Sequence, residues 1–366
     1  MATRVTATDV EKSVVYHSPQ TPGYTCWVGT WLMPDGTLMV SFHQATGPLT
    51  NRPGAPQDIL KRLGWPPKGN VGYDITGTIQ EMIHLASRDG GQTWEQVSAE
   101  PYHSPMNGCS CQGELALPDG TLVRSVWGQY LPFYDVPQTG YVQRSTDLAQ
   151  TWGPPEVYIP TDGIMTFPKR LRLLRDGRLV LSGGFAELDP NANTRGGWFR
   201  HGRVGILTSN DGGRSWGDPI YALPEEDGVK PTEEIDFAEL PNGKLLCVIR
   251  MAKPAGRYQS LLRPEGDTFV IESSGLAPFP HSGHPEMLAT AEGIALHLAT
   301  SGISWTADEG KTWTDLGIGG TRYYPRSVQL PDGRIFCVYH RGGDNPYDGS
   351  VDQEIQAMTF RLQIEE

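Results

Sequence analysis

The stretch Ser209–Trp216 reads SNDGGRSW, and it recurs along the chain with the same spacing of Ser or Thr, Asp and Trp. An Asp carboxylate can accept hydrogen bonds from nearby backbone N–H groups, a glycine supplies an unusual φ, and a tryptophan packs beneath the turn. We therefore predict that each copy clasps a β-hairpin and that its aspartate is structural. The other copies are SRDGGQTW (Ser87–Trp94), STDLAQTW (Ser145–Trp152) and TADEGKTW (Thr306–Trp313), with LLRPEGDTF (Leu261–Phe269) as a decayed fifth.

A second motif, a glycine turn between two apolar runs, interleaves with the first. Most of these turns are Asp-Gly or Asn-Gly, the strongest short-range signal for a β-hairpin, since both residues tolerate positive φ. Their uneven spacing indicates one structural unit repeated with loops of variable length. The six turn glycines are Gly36, Gly120, Gly177, Gly243, Gly293 and Gly333.

The composition excludes several classes of protein. The 366 residues include 44 glycines and 30 prolines, and 38% are hydrophobic, which favours a turn-rich β protein with a real core over a disordered chain. No apolar run approaches the ~18 residues of a membrane helix. A net charge of −12 argues against nucleic acid and anionic membranes as partners. The five scattered cysteines and an N-terminus without an apolar signal core predict a cytoplasmic protein with reduced thiols.

The S/T-x-D-x-G-x-T-W repeats resemble the Asp boxes, or BNR repeats, of the sialidase (neuraminidase) superfamily, and the resemblance covers nearly the whole chain. It implies an all-β fold, a six-bladed β-propeller of four-stranded antiparallel blades, as a single domain over residues 1–366. Each glycine hairpin would join the first and second strands of a blade, and each Asp box the third and fourth. Glu11–Ser18 and Ile355–Ile364 would pair in one blade to close the ring, which removes exposed sheet edges.

The candidate site follows from aligning the blades on their turn glycines. The ninth residue before each glycine lies at the start of the innermost strand, at the functional end of the propeller. The second strand returns to this end about seven residues after the glycine, at His43, Trp127, Gly184, Arg250, Thr300 and His340. We call the first set the mouth positions: Trp27, Cys111, Pro168, Glu234, His284 and Tyr324.

Two blades match the sialidase pattern closely. Glu234…Gly243…Arg250 resembles the family's Glu–Gly–Arg unit, and Tyr324-Pro-Arg resembles the segment that bears its nucleophilic tyrosine. The resemblance implies Tyr324 as nucleophile and Glu234 as its base, since a neutral phenol avoids repulsion by an acidic sugar. Asp74 is our choice for the acid/base, because it lies 13 residues before Ser87 in the long first-blade loop. A core tyrosine, a strand glutamate and a solvated loop aspartate are the structural alternatives.

The arginines depart from the sialidase pattern, in which three of them hold the sugar carboxylate. Arg250 matches one of the three, whereas Tyr24–Trp27 contains no arginine at the start of blade one, and His281–Glu286 stands where another is expected. Strand alternation places Arg322 and Arg326 on the same face as Tyr324. Specificity for sialic acid is therefore not implied. Arg170, Arg172 and Arg341 are further spatial substitutes.

The aromatic and imidazole residues near the predicted mouth suit a carbohydrate ligand, because such rings stack on sugar C–H faces. Three functions stay open: an exo-acting retaining glycoside hydrolase for a terminal, acidic sugar, a lyase in which His284 or Tyr324 removes the C5 proton of a uronate, and a non-catalytic carbohydrate-binding propeller. No cofactor or metal site is expected, since no nucleotide fingerprint or zinc spacing occurs. The predicted ligand-binding residues are Arg250, Arg322, Arg326, His284, Trp27, His43, Trp127 and His340. The aromatic and imidazole set near the mouth also includes Tyr24, Trp65, Tyr73, Tyr130, Trp198, His281 and Tyr323.

Overall fold

A computed structural model describes residues 3–21, 23–48, 51, 77–101, 113–126, 140–157, 164–187, 202–226, 228–253, 256–281, 283–341 and 353–365. Within these ranges the chain is all-β, with 24 strands arranged as six four-stranded antiparallel sheets. The described part holds no helix long and apolar enough to cross a bilayer. The six-bladed propeller predicted from the two repeats is confirmed.

The first three blades follow the chain in order. Blade 1 consists of β2 (Tyr24–Leu32), β3 (Leu38–Thr46), β4 (Ile79–Ser87) and β5 (Glu95–Pro101). Blade 2 consists of β6 (Glu114–Ala116), β7 (Leu122–Val126), β8 (Tyr141–Ser145) and β9 (Glu156–Val157). Blade 3 consists of β10 (Ile164–Leu173), β11 (Leu179–Glu187), β12 (Arg203–Ser209) and β13 (Ile220–Tyr221).

The last three blades include the one that closes the ring. Blade 4 consists of β14 (Lys230–Glu239), β15 (Leu245–Lys253), β16 (Gly256–Glu265) and β17 (Thr268–Leu276). Blade 5 consists of β18 (Glu286–Ala289), β19 (Ala295–Ala299), β20 (Gly302–Thr306) and β21 (Thr314–Asp315). Blade 6 consists of β22 (Tyr323–Gln329), β23 (Ile335–His340), β24 (Glu354–Glu365) and β1 (Arg4–His17).

Blade 6 is built from both ends of the sequence. β1 pairs antiparallel with β24 from Arg4 opposite Glu365 to His17 opposite Glu354, with two shifts of register. The predicted pairing of the N-terminal and C-terminal segments is therefore confirmed. It closes the ring by backbone hydrogen bonds between segments that are far apart in sequence.

The glycine turns connect the first and second strands of all six blades. Each turn glycine has φ between 80° and 90°, the left-handed region that favours glycine. In blade 1, Gly36 N–H donates to the carbonyl of Met33 at 2.9 Å, and the other five turns repeat this bond. The Asp-Gly and Asn-Gly signals thus predicted the hairpins correctly.

The Ser/Thr-x-Asp repeats connect third and fourth strands, and we call these turns the Asp hairpins. In the blade 5 copy, Asp308 accepts hydrogen bonds from Thr306 Oγ1 at 2.8 Å, from the backbone N–H of Thr312 at 2.9 Å and from its Oγ1 at 2.7 Å. Trp313 is buried beneath this turn against His297 and Phe279. The hydroxyl and amide donors satisfy the carboxylate locally, which is the structural role expected for these aspartates.

The apolar core lies in layers between neighbouring blades. One cluster joins residues of blades 3 and 4, another those of blades 4 and 5, and others fill the remaining interfaces between blades. The first strand of each blade contacts the first strands of both neighbouring blades, so these six strands form the innermost ring. Residues at the start of these strands therefore converge on the central axis.

Candidate active site

Four of the six mouth positions, Trp27, Pro168, Glu234 and Tyr324, lie at irregular points of the innermost strands. The pairing of first and second strands shifts register around Trp27, just after Pro168, around Glu234 and around Tyr324. A β-bulge bends a strand and re-aims a side chain, and bulges are common next to active sites. The bulges explain why side chains that regular alternation would place on the blade faces instead meet at one end of the ring.

Glu234 lies buried among cationic and imidazole groups. Its Oε1 accepts a hydrogen bond from Arg250 Nη1 at 2.9 Å, and its Oε2 lies 3.2 Å from His284 Nδ1. Burial of the carboxyl raises its pKa, but His284, Lys169 and Arg250 outweigh that effect, so the pKa stays well below its usual range. The carboxylate is therefore ionised at neutral pH. The structure brings together Glu234, Arg250 and His284 as the sequence predicted.

Tyr324 packs between two imidazole rings. Its ring centroid lies 4.3 Å from that of His284 and 5.5 Å from that of His340, which it stacks on at an interplanar angle of 20°. Its φ is +51°, a conformation that is strained for a residue with a Cβ. Strained backbone of this kind clusters at functional sites, where the surrounding structure enforces it. Glu234, His284 and Tyr324 thus stand side by side on three consecutive blades.

Blade 1 repeats the arrangement found around Tyr324. Trp27 occupies the matching mouth position, has a φ of +49°, and lies 5.5 Å from the His43 ring. Both partner imidazoles are buried beneath their aromatic rings. Burial lowers the pKa of His340 to about 3 and that of His43 to about 4, the latter opposed by a hydrogen bond with Gln80. His43 and His340 are therefore neutral supports for the two aromatic rings.

Arg326 is not at the mouth, which corrects the expectation from strand alternation. The bulge between Tyr323 and Arg326 breaks the alternation, and the Arg326 side chain is only 2% exposed. Its Nη1 donates to Glu286 Oε2 at 3.0 Å, and Arg170 Nη2 lies 3.3 Å from Oε1 of the same carboxylate. The guanidinium groups of Arg326 and Arg170 thus neutralise a buried carboxylate that the sequence analysis did not single out.

The other candidate arginines form ion pairs with nearby carboxylates or are exposed to solvent. Arg172 pairs with Asp236 at 3.0 Å, and Arg341 lies 3.4 Å from Glu354. Arg322 is exposed, and its carbonyl accepts hydrogen bonds from the Thr300 and Thr321 hydroxyls. Among the described residues, none of these three guanidinium groups forms an ion pair with Glu234.

Two cations near Glu234 were missed by the sequence analysis. Arg257 is the Cα partner of Arg250 across β15 and β16, and its guanidinium donates to the carbonyls of Gly256 and Gly283. Lys169 is buried, and its Nζ lies 3.7 Å from Glu233 Oε1. The tight connection between Lys253 and Gly256 predicts the register that places Arg257 opposite Arg250. Lys169 occupies a bulge, which no sequence pattern marks.

Part of the predicted site lies outside the described residues. This applies to the acid/base candidate Asp74, the ligand-binding candidate Trp127, and Cys111 at the blade 2 mouth position. The aromatic residues Trp65, Tyr73, Tyr130 and Trp198 also fall there, as does Asp58, the other aspartate of the long first-blade loop. Within the described ranges, no group of three or more His, Cys, Asp or Glu side chains is placed to hold a metal ion.

Comparisons with known proteins give matches at the level of structure alone. No family model matches the chain, and no curated protein matches its sequence. A protein of unknown function from Dyadobacter fermentans superposes with a TM-score of 0.66 at 18% identity, covering 98% of this chain and 99% of the other. The α-L-arabinofuranosidase Arb93A of Fusarium graminearum, solved with an iminosugar inhibitor, gives 0.63 at 15% identity, with 95% and 96% covered.

The NanB sialidase of Streptococcus pneumoniae superposes with a TM-score of 0.62 at 10% identity, covering 95% of this chain and 70% of NanB. The fold is the propeller that sialidases share with α-L-arabinofuranosidases. The sialidase-like architecture predicted from the repeats is thereby confirmed. In this sialidase-like propeller, the residues gathered at the mouth are a carboxylate, a phenol, an imidazole and arginines.

Proposed function

We propose that this protein is an exo-acting glycoside hydrolase that releases a terminal, acidic sugar with retention of configuration. The observation that carries the proposal is the convergence of Glu234, His284 and Tyr324 from blades 4, 5 and 6, with Arg250 bonded to Glu234. Solved structures of the same fold support the proposal, because they include a sialidase and an α-L-arabinofuranosidase, which are enzymes that act on glycosides. Retention follows from a covalent intermediate on the enzyme.

Tyr324 is the proposed nucleophile. Its hydroxyl oxygen attacks the anomeric carbon while its proton passes to the ionised carboxylate of Glu234, and the glycosidic C–O bond breaks. Asp74, the proposed acid/base, protonates the departing oxygen. In the second step Asp74 takes a proton from water, whose oxygen attacks the anomeric carbon while the bond from that carbon to the Tyr324 oxygen breaks. Glu234 then returns its proton to the departing phenolate.

The charges around Glu234 favour an acidic sugar. The Arg250 side chain is 43% exposed and lies beside the mouth, so its guanidinium is suited to anchor a substrate carboxylate. Arg257, opposite Arg250, and Lys169, near Glu234, add further positive charge. A protein of net charge −12 needs such a local cluster to bind an anion. The cation cluster thus offsets the repulsion that the whole chain exerts on an acidic ligand.

A panel of aryl glycosides with acidic and neutral sugars, together with uronate polymers, tests the proposal. We expect turnover of an acidic glycoside, and we expect Tyr324→Phe and Glu234→Gln each to lower kcat by about a hundredfold to ten-thousandfold. Tyr221→Phe is the matched control, because this tyrosine lies on the outermost strand of blade 3 against Phe185 and Arg203, and it should retain wild-type turnover.

The alternatives give distinct outcomes in the same panel. An ultraviolet-absorbing unsaturated uronate among the products would identify a lyase instead. Saturable binding of glycan with no product would identify a binding propeller. Cleavage of neutral arabinosides alone, or unchanged turnover in both variants, would contradict the proposed substrate class or the proposed catalytic pair.

A further inference from the structure

His284 occupies the position between the two proposed catalytic groups. Its Nδ1 lies 3.2 Å from Glu234 Oε2, and its ring centroid lies 4.3 Å from that of Tyr324. The imidazole is buried. The chain thus places one side chain in contact with both the carboxylate and the phenol ring.

The backbone before His284 is fixed from two sides. Gly283 has a φ of +145°, and a Cβ on it would lie 2.7 Å from the backbone nitrogen of Thr300. The guanidinium of Arg257 donates to the Gly283 carbonyl. Because Gly283 cannot be replaced without strain and its carbonyl is held, the backbone that leads into His284 is fixed in place.

The contact between His284 and Glu234 is short, but it is not aligned as a hydrogen bond, since neither Nδ1 nor Oε2 has a partner of hydrogen-bond geometry among the described residues. Catalytic hydrogen bonds are often poorly aligned without substrate and tighten in the complex. A small rotation of the ring would let Nδ1–H donate to Oε2. This selects the tautomer that leaves Nε2 as an acceptor.

We propose that His284 is a positioning residue: its Nδ1–H holds the Glu234 carboxylate while its ring packs on Tyr324, which keeps base and nucleophile in register. The inference rests on the proposed glycosidase activity. It assigns to blade 5 an imidazole in place of the guanidinium that the sialidase pattern led us to expect there. The charged and titratable groups that act electrostatically on His284 are Glu234, Lys169, Arg326, His340 and His297, and the Tyr324 ring packs against it.

Three substitutions separate the hydrogen bond from the packing. His284→Asn keeps an N–H donor near the place of Nδ1, His284→Gln moves the donor towards the place of Nε2, and His284→Phe keeps only the ring. We expect kcat to fall at least tenfold in His284→Gln and His284→Phe with little change in KM, and His284→Asn to recover most of the loss. His17→Asn is the control, because His17 is an exposed imidazole beside Glu354 on the outermost strand of blade 6, and the variant should keep wild-type kcat.

A spectroscopic measurement separates this inference from the proposed function. Long-range proton–nitrogen correlation spectra of histidine-labelled protein report the tautomer, with the His284 signal assigned by its loss in His284→Asn. We expect the Nδ1–H form in the wild type at neutral pH and a change in Glu234→Gln. An Nε2–H form, or wild-type kcat in His284→Phe, would overturn the positioning role. An Nδ1–H form in a protein that cleaves no glycoside would overturn the proposed function and leave the contact intact.

Discussion

At the scale of single residues, the buried carboxylate of Glu286 is the group whose loss should destabilise the fold most. Its Oε1 accepts hydrogen bonds from the backbone N–H of Ser327 at 2.7 Å and from its Oγ at 2.8 Å, while Arg326 bonds Oε2. Arg170 completes the arrangement. Two buried guanidinium groups therefore bond directly to this carboxylate, and Asp236 adds negative charge nearby.

We expect Glu286→Gln to lower the free energy of unfolding by about 3–5 kcal/mol, because it removes the carboxylate that bonds directly to the buried Arg170 and Arg326. Equilibrium unfolding in urea measures the change. The control is Glu265→Gln, which removes an exposed partner of Arg263 at 3.0 Å and should cost less than about 1 kcal/mol. Equal losses in both variants would show that the central pair contributes no more than a surface pair.

At the scale of elements, the Asp hairpins can be tested because the matching hairpin of blade 4 lacks the clasp. In blade 5, Asp308 accepts hydrogen bonds from Thr306 and Thr312, which together hold the pKa of its carboxyl below the usual range against the opposing effect of burial. In the decayed blade 4 copy, the Asp267 carboxylate accepts no hydrogen bond within the described part of the chain.

We expect Asp308→Ala to lower the free energy of unfolding by about 1–3 kcal/mol, because it leaves the donors of the turn unsatisfied. Asp267→Ala is the matched control and should change it by less than about 0.5 kcal/mol. Hydrogen exchange at the Thr312 amide gives a local readout, and it should accelerate only in Asp308→Ala. Unchanged exchange at that amide would contradict the clasp.

The elements also show which parts of the molecule a sequence can predict. Turn chemistry is local, so the glycine hairpins and the Asp hairpins were found, and the order of strands followed from them. The bulges at the mouth depend on how six strand ends crowd around the axis, and Trp27 and Tyr324 have positive φ without being glycine. Alternation therefore placed Arg326 on the wrong side. For the same reason the contacts of Lys169 and Glu286, which join different blades, needed the structure.

At the scale of the whole molecule, buried imidazoles make the fold sensitive to acid. Burial lowers the pKa of His84 and His297 to about 3, as it does that of His340, and that of His43 to about 4. The unfolded chain takes up these protons below its ordinary pKa of ~6.5, whereas the native protein does not. Stability is therefore lost as the pH falls below ~6.5.

Glu114 acts in the opposite direction. Burial raises its pKa to about 7, although Ser41 and Arg124 lower it, so the native carboxyl holds a proton that the unfolded chain releases above its ordinary pKa of ~4.5. The contribution of the protonated Glu114 carboxyl to the free energy of unfolding is lost as the pH rises from about 4.5 to about 7. Four histidines against one glutamate leave an excess of about three protons taken up by the unfolded chain.

We therefore expect the free energy of unfolding to fall by about 4 kcal/mol for each pH unit between about 6.5 and 4.5. Urea unfolding across this range measures the slope. His297→Phe should remove the contribution of about one proton, which reduces the slope by about 1.4 kcal/mol per pH unit. The reason is that this buried imidazole stacks on Phe279 and neither of its nitrogens has a hydrogen-bond partner in the described part. A flat profile in the wild type would contradict neutral burial.

The shared blade at the closure bears on how the chain assembles. Blades 1 to 5 each consist of strands close together in sequence, whereas blade 6 lacks a strand until β24 meets β1. Until then the 14-residue strand β1 presents unpaired backbone groups. The same hydrogen bonds form if β1 of one chain pairs with β24 of another, so closure within a chain competes with domain swapping during refolding. Dilute refolding favours the closed monomer, because the intramolecular pairing does not depend on concentration.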